Sequence, residues 1–360
     1  KYYLQSGVEA RAAGVLFLEM HGLCCAAQVQ MNQGHLKQAA QTCQDAIQLV
    51  KGARLPPLGL AWNILGAIAL EHNDLLSAEK YLCDGTALSR QGGLRDDLGV
   101  GLVSLARLRT YQGDLAGMQA LMDEVLPIIR AIGLPRTEQL ARAYLARFRH
   151  FLGQPEAATH WASEYQTVRA EPLTEFEEFA LVRVLISRGE LDTVPGILLP
   201  LLEKSIAVGQ MRAALEANIL LGLYHHARGE TTSALERLGK ALELAAPEGY
   251  IRIFLDEGSP LLDLLPKVRQ AAPGLVNAIL NGKPAQAKSQ STLLERLPDP
   301  LSEQEIRVLN LIVAGKSNAE IATELVISVG TAKWHVHNIL QKLGVNTRTQ
   351  AIARVKELGI

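Results

Sequence analysis

The 360-residue sequence has little that marks an enzyme or a metalloprotein. Its four cysteines, at 24, 25, 43 and 83, form no CxxC pair and no His-rich spacing accompanies them. They read as buried free thiols of a reducing compartment, so no metal site is expected. HExxH and GxSxG are absent. Gly315-Lys316-Ser317 has the ending of a phosphate-binding loop, but Asn310 stands where that loop needs its first glycine. With no catalytic constellation, the chain is not expected to be an enzyme or to hydrolyse ATP.

Long apolar runs are missing too. The longest, Gly59 to Leu70, falls short of the ~18 to 20 residues of a membrane span and is broken by Asn63. No signal peptide is visible, and a cytoplasmic location without membrane contact is expected. Lys1 stands where a complete chain would have Met, so the sequence reads as a fragment or a processed chain. Charge of either sign is not in excess, with 36 basic and 37 acidic residues, so only local charge can point to a polyanion.

What is present is a repeat. A small turn residue, one free position and usually Leu recur as Gly34-His35-Leu36, Asn73-Asp74-Leu75, Gly113-Asp114-Leu115, Gly153-Gln154-Pro155, Gly189-Glu190-Leu191 and Gly229-Glu230-Thr231. The spacings are 39, 40, 40, 36 and 40 residues. Each phrase separates two stretches with helical apolar periodicity, such as Leu98, Leu102, Leu105 and Leu108 before Gly113 and Met118, Leu121, Met122 and Val125 after it. Glycine suits the left-handed end of the first helix. Ala39, Ala78, Ala158 and Ala234 let the second helix pack closely. One helix pair cannot bury its apolar face alone, but stacked pairs can. Residues 1–245 are therefore expected to form an all-α solenoid with a concave inner surface.

That surface is a candidate groove for a small-molecule inducer or a protein. Trp62, Tyr111, Tyr144, Trp161 and Tyr224 are the candidate aromatic walls, with core packing as their competing role. His225-His226 reads as structural, because adjacent helix residues point about 100° apart. Residues 246–292 form a connector and linker. Within it, residues 251–255 read equally as strand or helix, two short helices follow, and residues 281–292 have the polar composition of a flexible linker.

Residues 293–360 carry the densest signals. Ser302 and Glu305 have capping-box spacing. Ile306, Leu309, Ile312 and Val313 mark a first helix, and Ile321, Ala322 and Leu325 a second. Ala332, Val336, Ile339, Leu340 and Leu343 mark a third, and Ala351, Ile352 and Val355 a fourth with Thr347 at its start. Residues 325–356 contain no Asp or Glu, yet hold Lys333, Lys342, Arg348, Arg354 and Lys356 besides His335 and His337. Such segregation in a balanced chain points to a phosphate-facing surface and double-stranded DNA as partner. Lys333, Trp334, His337 and Gln341 lie off the apolar stripe of the third helix and are candidates for the major groove, with Thr331 and Asn338 for phosphate or sugar.

The run Leu301-Ser302-x-x-Glu305, Gly315-Lys316-Ser317-Asn318, Ile321-Ala322, Ile327-Ser328, Thr331-x-Lys333-x-His335 and Lys342-Leu343-Gly344-Val345 resembles the LuxR-type helix-turn-helix. The resemblance implies a four-helix module that reads DNA with its third helix and pairs through its fourth. Trp334 and His337 depart from the smaller residue and the Lys or Arg usual there, and Ala332 replaces the usual Val. The repeats resemble tetratricopeptide repeats with an expanded unit. The phrase from Pro247-Glu248-Gly249-Tyr250 to Asp256-Glu257-Gly258-x-Pro260 is similar to the connector of large ATP-binding LuxR regulators of the maltose-activator type. That likeness implies a sequence-specific transcription activator, controlled through its tetratricopeptide-like sensor, forming a homo-oligomer on DNA and contacting RNA polymerase. ATP is expected only on a nucleotide-binding module preceding this chain. The alternative is a protein-interaction scaffold whose DNA-binding end is secondary.

Overall fold

The computed structural model describes residues 16–51, 54–131, 135–151, 155–168 and 175–282, and in the C-terminal part mainly 316–324 and 329–342, with shorter pieces between 305 and 351. The chain divides into two compact units, Lys1–Gly282 and Lys283–Ile360. No strand occurs among the described residues.

The first unit is a series of helix pairs. They are α1 (Leu16–Gln33) with α2 (Leu36–Leu49), α3 (Gly59–Glu71) with α4 (Leu75–Gln91), α5 (Arg95–Tyr111) with α6 (Leu115–Ala131), α7 (Pro135–Phe151) with α8 (Pro155–Val168), α9 (Glu175–Arg188) with α10 (Val194–Ala207), and α11 (Met211–Ala227) with α12 (Thr231–Ala245). The turn inside a pair is the repeated phrase. Gly34, Gly113, Gly189 and Gly229 take positive φ, as does Asn73 at 61°. In each turn the next N–H reaches back to the carbonyl five residues earlier, as from Asp114 to Arg109 and Glu230 to His225, both at 2.9 Å. This closes the helix end that a left-handed residue permits. Gly153 lies outside the described residues.

The two helices of a pair differ in burial. In α11 every residue from Ala213 to Tyr224 is buried. In α12 only Ala234, Leu238, Ala241, Leu242 and Ala245 are, at the three-to-four spacing of a single face. The odd-numbered helices thus form an inner layer and the even-numbered ones an outer layer. Ala39, Ala78, Ala158 and Ala234 are fully buried where the layers meet. Asn63, the break in the longest apolar run, is fully buried and donates Nδ2 to the Asp97 carbonyl at 2.8 Å, joining α3 to α5.

The array closes on itself. Helix α11 packs against α1 as well as against its sequence neighbours. Gly34 approaches the N-terminus of α11 so closely that a Cβ there would lie 2.7 Å from the Arg212 backbone nitrogen. After α12, Gly249 (φ 76°) turns the chain back across the array. Residues 251–255 resolve as one helical turn, α13 (Arg252–Leu255), followed by α14 (Ser259–Leu262), a 3-10 segment Leu265–Ala271 and α15 (Pro273–Asn281). Tyr250, Ile253, Phe254 and Leu255 share one core with residues of α1 to α3 and α7 to α12.

In the second unit, Val308, Leu309, Ile312, Ile321, Ala322, Val336, Ile339 and Ala351 form the core. They hold α16 (Asn318–Glu324) against α17 (Val329–Lys342). Ser317 and Glu320 make a reciprocal cap, with Ser317 N–H to Glu320 Oε2 at 2.7 Å and Glu320 N–H to Ser317 Oγ at 3.3 Å. Thr347 and Gln350 repeat this arrangement at 3.1 and 3.2 Å. Ser302, Ile306, Val313, Leu325, Leu343, Ile352 and Val355 lie outside the described residues, as do residues 283–300 and with them most of the linker segment.

Candidate functional site

Two candidate surfaces stand out, one in each unit. On α17 the buried Val336 and Ile339 fix which face is turned inward. Lys333 and Gln341 are exposed and Asn338 is half-buried. The side chains of Thr331, Trp334 and His337 are outside the described set. Two of the basic residues counted in the sequence are engaged within the unit. Lys342 Nζ lies 3.0 Å from Glu305 Oε2. Arg348 bonds the Asn318 side chain at 3.2 Å and the Lys316 carbonyl.

The inner layer of the repeats surrounds a cavity of about 590 Å³. Tyr111 and Tyr144 line it, with Phe148, Phe151 and Phe176. Trp62, Trp161 and Tyr224 do not. Trp62 sits beside Tyr81, with ring centroids 5.5 Å apart. Trp161 is buried and stacked on Tyr165 at 5.2 Å. Tyr224 is buried against His225 and under the Arg228 guanidinium. His225 itself bonds Glu230 at 2.6 Å, and the described residues hold no cluster of three metal-ligating side chains.

Periodicity alone did not reveal the polar lining. Arg107, Arg147, Arg183 and Arg212 reach the cavity from α5, α7, α9 and α11, one per repeat. Arg107 pairs with Glu71 at 2.6 Å and with Asp256 at 3.2 Å. Arg183 lies 2.8 Å from Glu216 and donates Nε to Glu257 at 3.0 Å. Arg147 and Arg212 both reach Glu216 at 3.3 Å. Arg252 stacks over the Tyr111 ring and lies 3.0 Å from Asp256. Burial alone would raise the Glu216 pKa, but Arg183, Arg212 and Arg147 outweigh it and hold the pKa at about 2. The same contest leaves Asp256 below its ordinary value, through Arg107, Arg252 and Arg147 and the Tyr111 hydroxyl. Burial also lowers the pKa of His150, which lines the cavity.

Every guanidinium of this group has a carboxylate within 3.3 Å, although Glu216 serves three of them and Asp256 two. The cavity lining itself holds Arg107, Arg147, Arg183 and Arg212 against Glu71, Glu175, Asp256 and Glu257, so its formal charges balance. Four buried polar atoms on its lining residues have no hydrogen-bond partner: Glu71 Oε2, Arg147 Nη2, Gln210 Oε1 and Tyr250 Oη. Arg147 Nη2 still lies 3.6 Å from Asp256 Oδ2, and the Tyr250 hydroxyl can both donate and accept. A buried polar atom without a partner costs stability and is matched in most proteins.

Residues 3–271, about three-quarters of the chain, match the family model described as the MalT-like TPR region. The chain belongs to that family. Residues 299–355 match the luxR family of bacterial regulatory proteins. This MalT-like chain thus joins a helical repeat region to a domain of the kind found in luxR-family regulatory proteins. It is 26% identical over 375 residues to the HTH-type transcriptional regulator MalT of Klebsiella pneumoniae subsp. pneumoniae, covering 91% of this chain and 39% of that relative. The chain therefore spans about two-fifths of the relative's length. Among the described residues, no helix is long and apolar enough to cross a membrane.

Proposed function

We propose that this chain binds specific duplex DNA through α17 and activates transcription when a small molecule occupies the repeat cavity. The observation that carries the DNA half is the luxR-family domain, whose helix α17 turns Lys333 and Gln341 to solvent opposite the buried Val336 and Ile339. Lys333, Gln341 and Asn338, with Trp334, His337 and Thr331, are the proposed contacts. Balanced formal charge on the lining, beside its tyrosine and phenylalanine walls, favours an uncharged inducer. Activation, homo-oligomerisation on DNA, contact with RNA polymerase and a cytoplasmic setting belong to the same reading, which the resemblance to maltose-activator-type regulators supports.

The test is selection of a duplex from random DNA by the whole chain, followed by affinity measurements over a range of salt. Lys333→Ala should weaken binding and reduce the magnitude of the salt slope by about one if Lys333 meets a phosphate. If it reads guanine, selectivity at one base pair should relax instead. Binding that is unchanged in both respects removes Lys333 from the interface, and failure to select any duplex sinks the DNA-binding reading.

A further inference from the structure

Asn73 breaks the rule that the turn within each helix pair carries glycine. It holds the same left-handed conformation, at φ 61°, that Gly34, Gly113, Gly189 and Gly229 adopt. A side chain there is disfavoured relative to glycine, although Asn tolerates it better than most. What the amide supplies is a double attachment. Its Oδ1 accepts from Arg252 Nη1 at 2.8 Å, and its Nδ2 donates to the Gly282 carbonyl at 3.3 Å. Arg252 belongs to the segment that crosses back over the array, and Gly282 is the last residue of the repeat unit.

The neighbours of Asn73 hold the same segment. Ile251 N–H donates to the Glu71 carbonyl, and His72 Nε2 lies against the Glu248 carbonyl, both at 2.9 Å. At its far end, Asp256 and Glu257 are fixed by Arg107 and Arg183. This strap also forms one wall of the cavity, to which it contributes Tyr250, Asp256 and Glu257. The unpartnered Tyr250 hydroxyl is on the strap, and the unpartnered Glu71 Oε2 is on the helix to which the strap is tied. A ligand in the cavity touches the strap through Tyr250, Asp256 and Glu257 and the array through residues such as Glu71, Arg107 and Tyr111, so it favours the docked strap over a released one.

Resting on the ligand-controlled reading above, the geometry points to the strap Glu248–Glu257, latched by Asn73, as the element that reports cavity occupancy to the DNA-binding unit. The docked strap, with Gly282 held by Asn73, is the DNA-binding state, and ligand acts by tightening it. Asn73→Gly tests this cleanly, because it makes the turn like the others and removes only the two side-chain bonds. Glu257→Gln is the second variant and loosens the other end.

Hydrogen exchange of the whole chain and its affinity for the duplex selected by the unmodified chain give two independent readouts. Both variants should exchange the Ile251 amide faster, on the order of tenfold for Asn73→Gly, while α11 and α12 stay protected. Affinity for DNA should fall several-fold in each. Strap exchange that is unchanged shows that these residues are not a latch. Faster exchange with unaltered or tighter DNA binding overturns the coupling and leaves the DNA-binding reading intact. If the unmodified chain selects no duplex, both fall together.

Discussion

Glu216 and Arg183 face each other at 2.8 Å between α11 and α9, and the Glu216 side chain has no exposure to solvent. A carboxylate in that position is tolerated only because Arg147 and Arg212 reach it as well. Removing one partner of a buried ion cluster leaves the others uncompensated.

Glu216→Gln is therefore expected to cost about 3–5 kcal/mol at pH 7, read by chemical denaturation. The acid limb should change with it. The Glu216 pKa is about 2 in the fold against an ordinary 4.5. Its contribution is complete above the unfolded value and is lost as pH falls through the folded one. About 3 kcal/mol of stability should thus disappear between those limits in the unmodified chain, and much less in Glu216→Gln. Equal acid limbs would show that the cluster does not hold the carboxylate ionised.

Gly34 and Gly113 share positive φ but not surroundings. A Cβ at Gly113 meets nothing within 4 Å, whereas at Gly34 it meets the backbone of Arg212. Gly113→Ala should cost about 1–2 kcal/mol for conformation alone. Gly34→Ala should cost more by about another 1–3 kcal/mol, the range for forced overpacking, because α1 and α11 must separate. Equal melting temperatures for the two variants would contradict a tight closure at that point.

Tyr250→Phe should leave thermal stability unchanged or slightly raised, since the buried hydroxyl it removes has no partner. Inducer-dependent activation should weaken. A loss above about 1 kcal/mol would indicate a bonded hydroxyl.

The cysteines offer a labelling test. Cys83 is exposed, Cys25 is half-buried, and Cys24 and Cys43 are buried. Burial, then the charges of Asp97 and Cys25, pushes the Cys24 thiol up to about 12. A maleimide at neutral pH should react first at Cys83 and next at Cys25. It should reach Cys24 and Cys43 only on unfolding, as mass spectrometry would show. Early loss of the Cys43 thiol would contradict the packing of α2.

The repeats were legible because a left-handed turn selects glycine and a close helix pair selects alanine, and both leave marks at a fixed period. The inner and outer layers were less legible, since α9 and α11 are buried almost all round and show no dominant apolar stripe. The same limit explains the aromatics. Periodicity puts Trp62 and Tyr111 on helices but does not say which face meets the cavity and which the next repeat. The arginine–carboxylate set was invisible, because Arg183 and Glu257 are 74 residues apart and come together only when the strap crosses the array. One signal was available: Asn73 stands where its counterparts are glycine, and its side chain holds the strap.

An open stack of repeats can lose or gain a unit at little cost, and its end units unravel first. Here the α1–α2 turn touches α11 through Gly34 and Arg212, and Glu248 reaches the backbone of Lys37. Such a seam fits only one number of units. Duplicating or deleting a helix pair would move the seam out of register and destroy the cavity, so the length of this array is fixed by closure where an open stack is free to drift.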